Sequence, residues 1–88
     1  MELQIGSIVI STMGRDKGMY FIVVSVEENY VHLVDGSVRK IDRPKKKKVK
    51  HIELTSMHEE NIANRIINKH KITNQGVKKA LKVILRAN

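Results

Sequence analysis

Tyr20-Phe21-Ile22-Val23-Val24-Ser25-Val26-Glu27-Glu28-Asn29-Tyr30-Val31-His32-Leu33-Val34 is the stretch that decides the fold. Two runs rich in β-branched and aromatic residues flank the polar triplet Glu27-Glu28-Asn29, which predicts an antiparallel strand pair. Upstream, Ile8-Val9-Ile10 follows Gly6 and reads as a first strand, with the loop Gly14-Arg15-Asp16-Lys17-Gly18 before the second. Downstream, Asp35-Gly36 is a hairpin signal, because both residues tolerate positive φ. Val38-Arg39-Lys40-Ile41 is then predicted as a fourth strand, and His51-Ile52-Glu53-Leu54-Thr55 as a fifth. Five short strands joined by tight turns predict a mainly β fold, a small closed or nearly closed barrel that hides its sheet edges.

Between the fourth and fifth strands lies Arg43-Pro44-Lys45-Lys46-Lys47-Lys48-Val49-Lys50. It has no apolar face to bury, so residues 43–50 are expected to form a mobile or extended basic loop. After Thr55 the hydrophobic period changes. Ser56-Met57-His58-Glu59 matches a capping box, with Ser56 as N-cap. Ile62, Ala63, Ile66 and Ile67 then share one helical face, and Val77, Ala80, Leu81, Ile84 and Leu85 form a second stripe. The expected organisation is a barrel over residues 1–55 and a two-helix extension over 56–88, with helices near 57–69 and 74–86.

Composition bounds the function. The chain has 88 residues and no cysteine, which removes disulfides and thiolate metal sites. No apolar run approaches the ~20 residues that span a bilayer. The start, Met1-Glu2-Leu3-Gln4, lacks the layout of a signal peptide. A soluble cytoplasmic protein is the expectation. The net charge is +8, unevenly placed. Residues 1–35 hold two basic and five acidic residues, a net of −3. Residues 36–55 hold eight basic residues against Asp42 and Glu53, and residues 56–88 hold seven against Glu59 and Glu60. Such segregation points to a polyanion met by one part of the molecule, beside the blander role of lysines in solubility.

Gly6 to Val34 resembles a KOW motif, which is two strands and a loop with a glycine just before the second strand. The pieces are Gly6-Ser7-Ile8-Val9-Ile10, Gly14-Arg15-Asp16-Lys17-Gly18 and Phe21-Ile22-Val23-Val24. The continuation Leu33-Val34-Asp35-Gly36, Val38-Arg39-Lys40 and Lys50-His51-Ile52-Glu53-Leu54-Thr55 is similar to a narrower group. That group holds the eukaryotic and archaeal large-subunit ribosomal protein numbered fourteen and small bacterial KOW-domain RNA-binding proteins related to it. The bacterial members are the more similar, through the Arg-Asp-Lys-Gly loop and the Pro-Lys-Lys-Lys stretch. The resemblance covers roughly residues 3–55 and implies an SH3-like barrel with RNA as partner. The helical tail departs from the pattern of the ribosomal relatives.

Lysine is a flexible point charge that suits phosphates without reading bases, so the run Lys45, Lys46, Lys47, Lys48 and Lys50 is a candidate phosphate grip. The bland reading is a solvated loop; a nuclear address also fits the heptamer loosely. Arg15 can fork onto a phosphate or a guanine edge, with Lys17 adding charge. By resemblance such loops touch RNA. The competing reading is a tight turn in which Asp16 caps N–H groups and pairs with Arg15. Arg39, Arg43 and His51 complete the candidate set, and Lys78, Lys82 and Arg86, with Lys79 beside them, form a second basic face on the last helix. Lying on an anionic membrane and reading DNA as a helix-turn-helix are other uses of that face, but aromatic anchors and base-reading amides are scarce there.

Phe21 is expected to fill the barrel. Tyr20 and Tyr30 more often cover a core edge than stack bases, so recognition by shape and phosphate is expected over sequence reading. His32, His51, His58 and His70 have no metal-ligand spacing, and no serine has a nucleophile-elbow context. The expected protein is not an enzyme and takes no cofactor, metal or small-molecule substrate. It is expected to be a ribosomal or ribosome-associated protein binding structured ribosomal RNA. The alternative is a transcription- or translation-linked KOW adaptor that also binds a protein.

Overall fold

The computed structural model describes residues 2–87; Met1 and Asn88, the outer ends of the expected organisation, lie outside the described residues. Five antiparallel strands form one sheet: β1 (Ser7–Ser11), β2 (Tyr20–Val26), β3 (Tyr30–Val34), β4 (Lys45–Lys48) and β5 (Ile52–His58), in the order β4-β3-β2-β1-β5. A 3₁₀ turn, Val49–His51, joins β4 to β5. Two helices follow, α1 (Glu60–Ile67) and α2 (Asn74–Ala87).

The sheet is apolar on both faces, which explains the unbroken Phe21-Ile22-Val23 run of β2. Val9, Phe21, Val23, Val31 and Leu33 point inward as a barrel-like core, with Met19, Val49, Ile52 and Leu54 packed around them. Phe21 is fully buried there. Ile8, Ile22 and Val34 point outward, and Ile62, Val77 and Leu81 of the helices cover them. The register carries this alternation across the sheet, pairing Ile8 with Ile22 and Ile22 with Val34. Fully burying a Val, Ile, Leu or Phe side chain contributes roughly 1.5–3 kcal/mol, so the helices supply a second core of similar kind to the first.

Three local expectations are corrected. Val38–Ile41 is not a strand. Asp35 Oδ1 accepts the amides of Ser37 (3.0 Å) and Arg39 (2.8 Å), and Ile41 N donates to Asn74 Oδ1 at 2.8 Å. These bonds hold the connector 35–44 as an ordered loop against α2. The fourth strand is instead Lys45–Lys48, inside the stretch expected to be a mobile or extended loop, with Lys45, Lys46, Lys47 and Lys48 opposite Leu33, His32, Val31 and Tyr30. Backbone pairing with β3 overrides the poor strand propensity of lysine. Finally, Ser56 is not an N-cap. β5 continues past Thr55 to His58, and Glu59 caps α1 by accepting from Asn61 N at 3.0 Å. The second helix begins as expected, with Thr73 Oγ1 accepting from Gly76 N.

Gly36 is where glycine is required. Its φ is +80°, and an added Cβ would collide with the backbone of Asn74 and Lys78 at the start of α2. The close approach brings the connector and the helix together.

Candidate nucleic-acid interface

Along β4 the side chains alternate, so the four lysines divide between two environments. Lys46 and Lys48 face outward and are exposed. Lys47 points inward beside Val31 and is 8% exposed. Its Nζ donates to Asp16 Oδ1 and to Met13 O, both in the loop between β1 and β2. Ser11 Oγ donates to the same Asp16 oxygen at 2.7 Å. Burial alone pushes the Asp16 carboxyl upward. The hydrogen bonds from Lys47 and Ser11 and the charges of Lys47 and Lys45 outweigh it and hold that carboxyl below its ordinary value. Lys47 is therefore a structural cation, and Asp16 pairs with Lys47 where the sequence offered Arg15.

Five more of the predicted residues, Arg15, Arg39, Lys45, Lys78 and Lys82, gather around the connector 35–44. On one side is a cleft of about 350 Å³ whose rim carries Arg15, Arg39 and Lys45, with the Lys47–Asp16 pair at its base. On the other is a cleft of about 560 Å³ between the connector and the first turns of α2, lined by Lys40, Lys78, Lys79 and Lys82. The consecutive residues Arg39 and Lys40 thus serve different clefts. Among the described residues, no acidic side chain forms an ion pair with any of these cations; the pairs present are Lys47–Asp16, Lys46–Glu27 and His32–Glu27.

The remaining candidates line neither of these two clefts. Lys17 is exposed in the β1–β2 loop, Arg43 is exposed in the connector, and Arg86 is exposed in the last turn of α2. Lys50 lines a third cleft, formed where the β2–β3 turn meets the end of β4. His51 is half-buried, and its carbonyl accepts from Thr12 N at 2.9 Å. Lys40 stands outside the predicted contact set, although it is basic, whereas the sequence places Lys79 beside Lys78 and Lys82 on the helix. Only the docking of α2 on the connector shows that they face one space.

Among the described residues, no three His, Asp or Glu side chains come together as a metal site, and no helix is long and apolar enough to cross a membrane. A comparison with protein-family models gives no match, and a search of curated proteins gives none.

Proposed function

We propose that this chain is an RNA-binding protein of the ribosome or associated with it, gripping the phosphate backbone of structured RNA. The observation that carries the reading is the pair of cation-lined clefts on either side of the connector 35–44. Arg15, Arg39 and Lys45 supply one set of contacts, and Lys40, Lys78, Lys79 and Lys82 the other. Unpaired cations on ordered backbone lose little freedom when they meet phosphate, and each displaces condensed counterions from the nucleic acid. Arginine at the first cleft adds planar forks that match phosphate oxygens. The resemblance of residues 3–55 to KOW-domain proteins agrees with RNA as the polyanion.

The test is fluorescence anisotropy with a structured ribosomal RNA fragment across a salt series. With about six phosphate contacts, affinity falls roughly a thousandfold between about 50 and 200 mM salt. Arg39→Glu with Lys45→Glu, and separately Lys78→Glu with Lys82→Glu, each weaken binding and flatten the salt dependence. A wild-type protein that ignores folded RNA at about 50 mM salt overturns the reading. Co-sedimentation with ribosomal subunits in a sucrose gradient tests the ribosomal part separately.

A further inference from the structure

The third cleft differs from the two cationic ones. It measures about 550 Å³ and is walled by Glu28, Asn29, Tyr30, Lys48, Val49 and Lys50. That volume lies inside the range of roughly 300–1,000 Å³ typical of small-ligand sites. Its backbone is held at two points. Glu27 N donates to Tyr30 O at 2.8 Å, and Val49 N donates to Asn29 O at 2.9 Å, which ties the β2–β3 turn to the end of β4.

Tyr30 and Lys48 are direct cross-strand partners, so their side chains leave the sheet on the same face. That face is the outer one, shared with Val34, but the helices cover only the Val34 end. Lys46, diagonal to Tyr30, holds its ammonium 4.7 Å from the ring centroid while Glu27 sits 3.8 Å from that ammonium. Lys46 is not among the residues that wall the cleft, while Tyr30 is. The cleft therefore brings together an aromatic ring, an amide, a carboxylate and two ammonium groups.

We propose that this cleft receives a single unstacked base of the bound RNA, resting on Tyr30. Asn29 and Glu28 meet the base edge, and Lys48 and Lys50 meet the phosphates flanking it. An aromatic ring accepts any base because every base has a π-face, while an amide and a carboxylate add preference for edges that carry amino groups. The proposal rests on the RNA-binding reading and deepens it. The cationic clefts hold a folded backbone, and the Tyr30 cleft selects RNA with an extruded nucleotide.

The experiment compares an RNA hairpin carrying one bulged adenosine with the same hairpin lacking the bulge. Wild type binds the bulged RNA more tightly. Tyr30→Ala lowers affinity for the bulged RNA roughly tenfold, the scale of one base–aromatic stack, and leaves the unbulged affinity unchanged. Tyr30→Phe keeps the preference. Equal affinity of wild type for the two RNAs, or equal losses in Tyr30→Ala, overturns the base site while leaving the backbone grip standing. If Tyr30→Ala does not fold, 2-aminopurine at the bulge decides: wild type quenches its fluorescence on binding, and unchanged fluorescence in a saturated complex overturns the site. Adenosine monophosphate added alone gives a readout independent of RNA, shifting the amide resonances of Asn29, Tyr30, Val49 and Lys50. Binding of neither hairpin removes the RNA-binding reading itself, and absence of the nucleotide shifts then removes the base site too.

Discussion

Lys47 Nζ meets Asp16 Oδ1 across 31 residues of sequence, in an ion pair whose members are 8% and 15% exposed. It ties the third of four consecutive lysines to the loop between the first two strands. Removing one member of a buried pair leaves the other charged, poorly solvated and unpaired.

Lys47→Ala is therefore expected to cost on the order of 2–3 kcal/mol, read as a lowered urea midpoint. Lys48→Ala should change stability by no more than about 0.5 kcal/mol, and Lys46→Ala, which gives up its exposed contacts with Tyr30 and Glu27, by no more than about 1 kcal/mol. The pattern separates one structural lysine from two surface ones. Equal effects at all three positions would contradict it. Charge reversal at Lys47 is accordingly a folding variant and no clean probe of RNA contact, although the sequence alone presents it as a free arm residue.

The pair also sets an acid limit. The Asp16 carboxyl titrates below its ordinary value of 3.8, because the bonds from Lys47 and Ser11 outweigh its desolvation. A carboxylate depressed in the folded state contributes stability that is complete above the unfolded value and is lost as pH falls through the folded one. The stability advantage of wild type over Asp16→Asn, measured by urea unfolding across a pH series, should thus be constant above that ordinary value and shrink below it. An advantage that grows on acidification would refute the assignment.

Two glycines with similar backbone angles should respond differently. Gly18 has φ +89° with no atom within 4 Å of an added Cβ, so Gly18→Ala carries only the left-handed backbone cost, about 1–2 kcal/mol. At Gly36 the new Cβ would also press on the backbone nitrogen of Lys78 at 2.8 Å. Gly36→Ala should lower the melting temperature more than Gly18→Ala does. It should also weaken RNA binding, since it separates Lys40 from the lysines of α2.

Asn74→Ala removes the acceptor for Ile41 N without changing any charge. Loss of that partner should cost roughly 1–2 kcal/mol and loosen the connector. RNA affinity at low salt should fall several-fold through this ordering cost, while the salt slope stays close to wild type because the number of cations is unchanged. A changed slope with unchanged affinity would argue against the connector as the organiser of the site.

The strands Ser7–Ser11, Tyr20–Val26 and Tyr30–Val34, the burial of Phe21 and the start of α2 were legible because each depends on local pattern: alternation, β-branched content, turn residues and an apolar stripe at helical spacing. The concentration of positive charge after residue 35 was legible in the same way. Val38–Ile41 misleads because it carries strand-forming residues, yet Asp35 and Asn74 take up the amides of Ser37, Arg39 and Ile41 that a ladder would use. Ser56-Met57-His58-Glu59 misleads because its spacing suits a helix cap, while pairing with β1 keeps it extended: Ser7 faces His58, and Thr55 Oγ1 donates to Ile8 O at 2.6 Å.

By itself, then, the chain's order of residues determined a mainly β body, a helical end and a strong cationic bias, since periodicity and charge are properties of neighbouring residues. Only the tertiary structure decided that four identical lysines have different fates, that Lys40 shares a cleft with Lys78, and that Tyr30 lines a cleft with Lys48 and Lys50. Whether a lysine is buried or free depends on what stands opposite it across the sheet or across a loop closure. That partner lies tens of residues away, where no local pattern reaches.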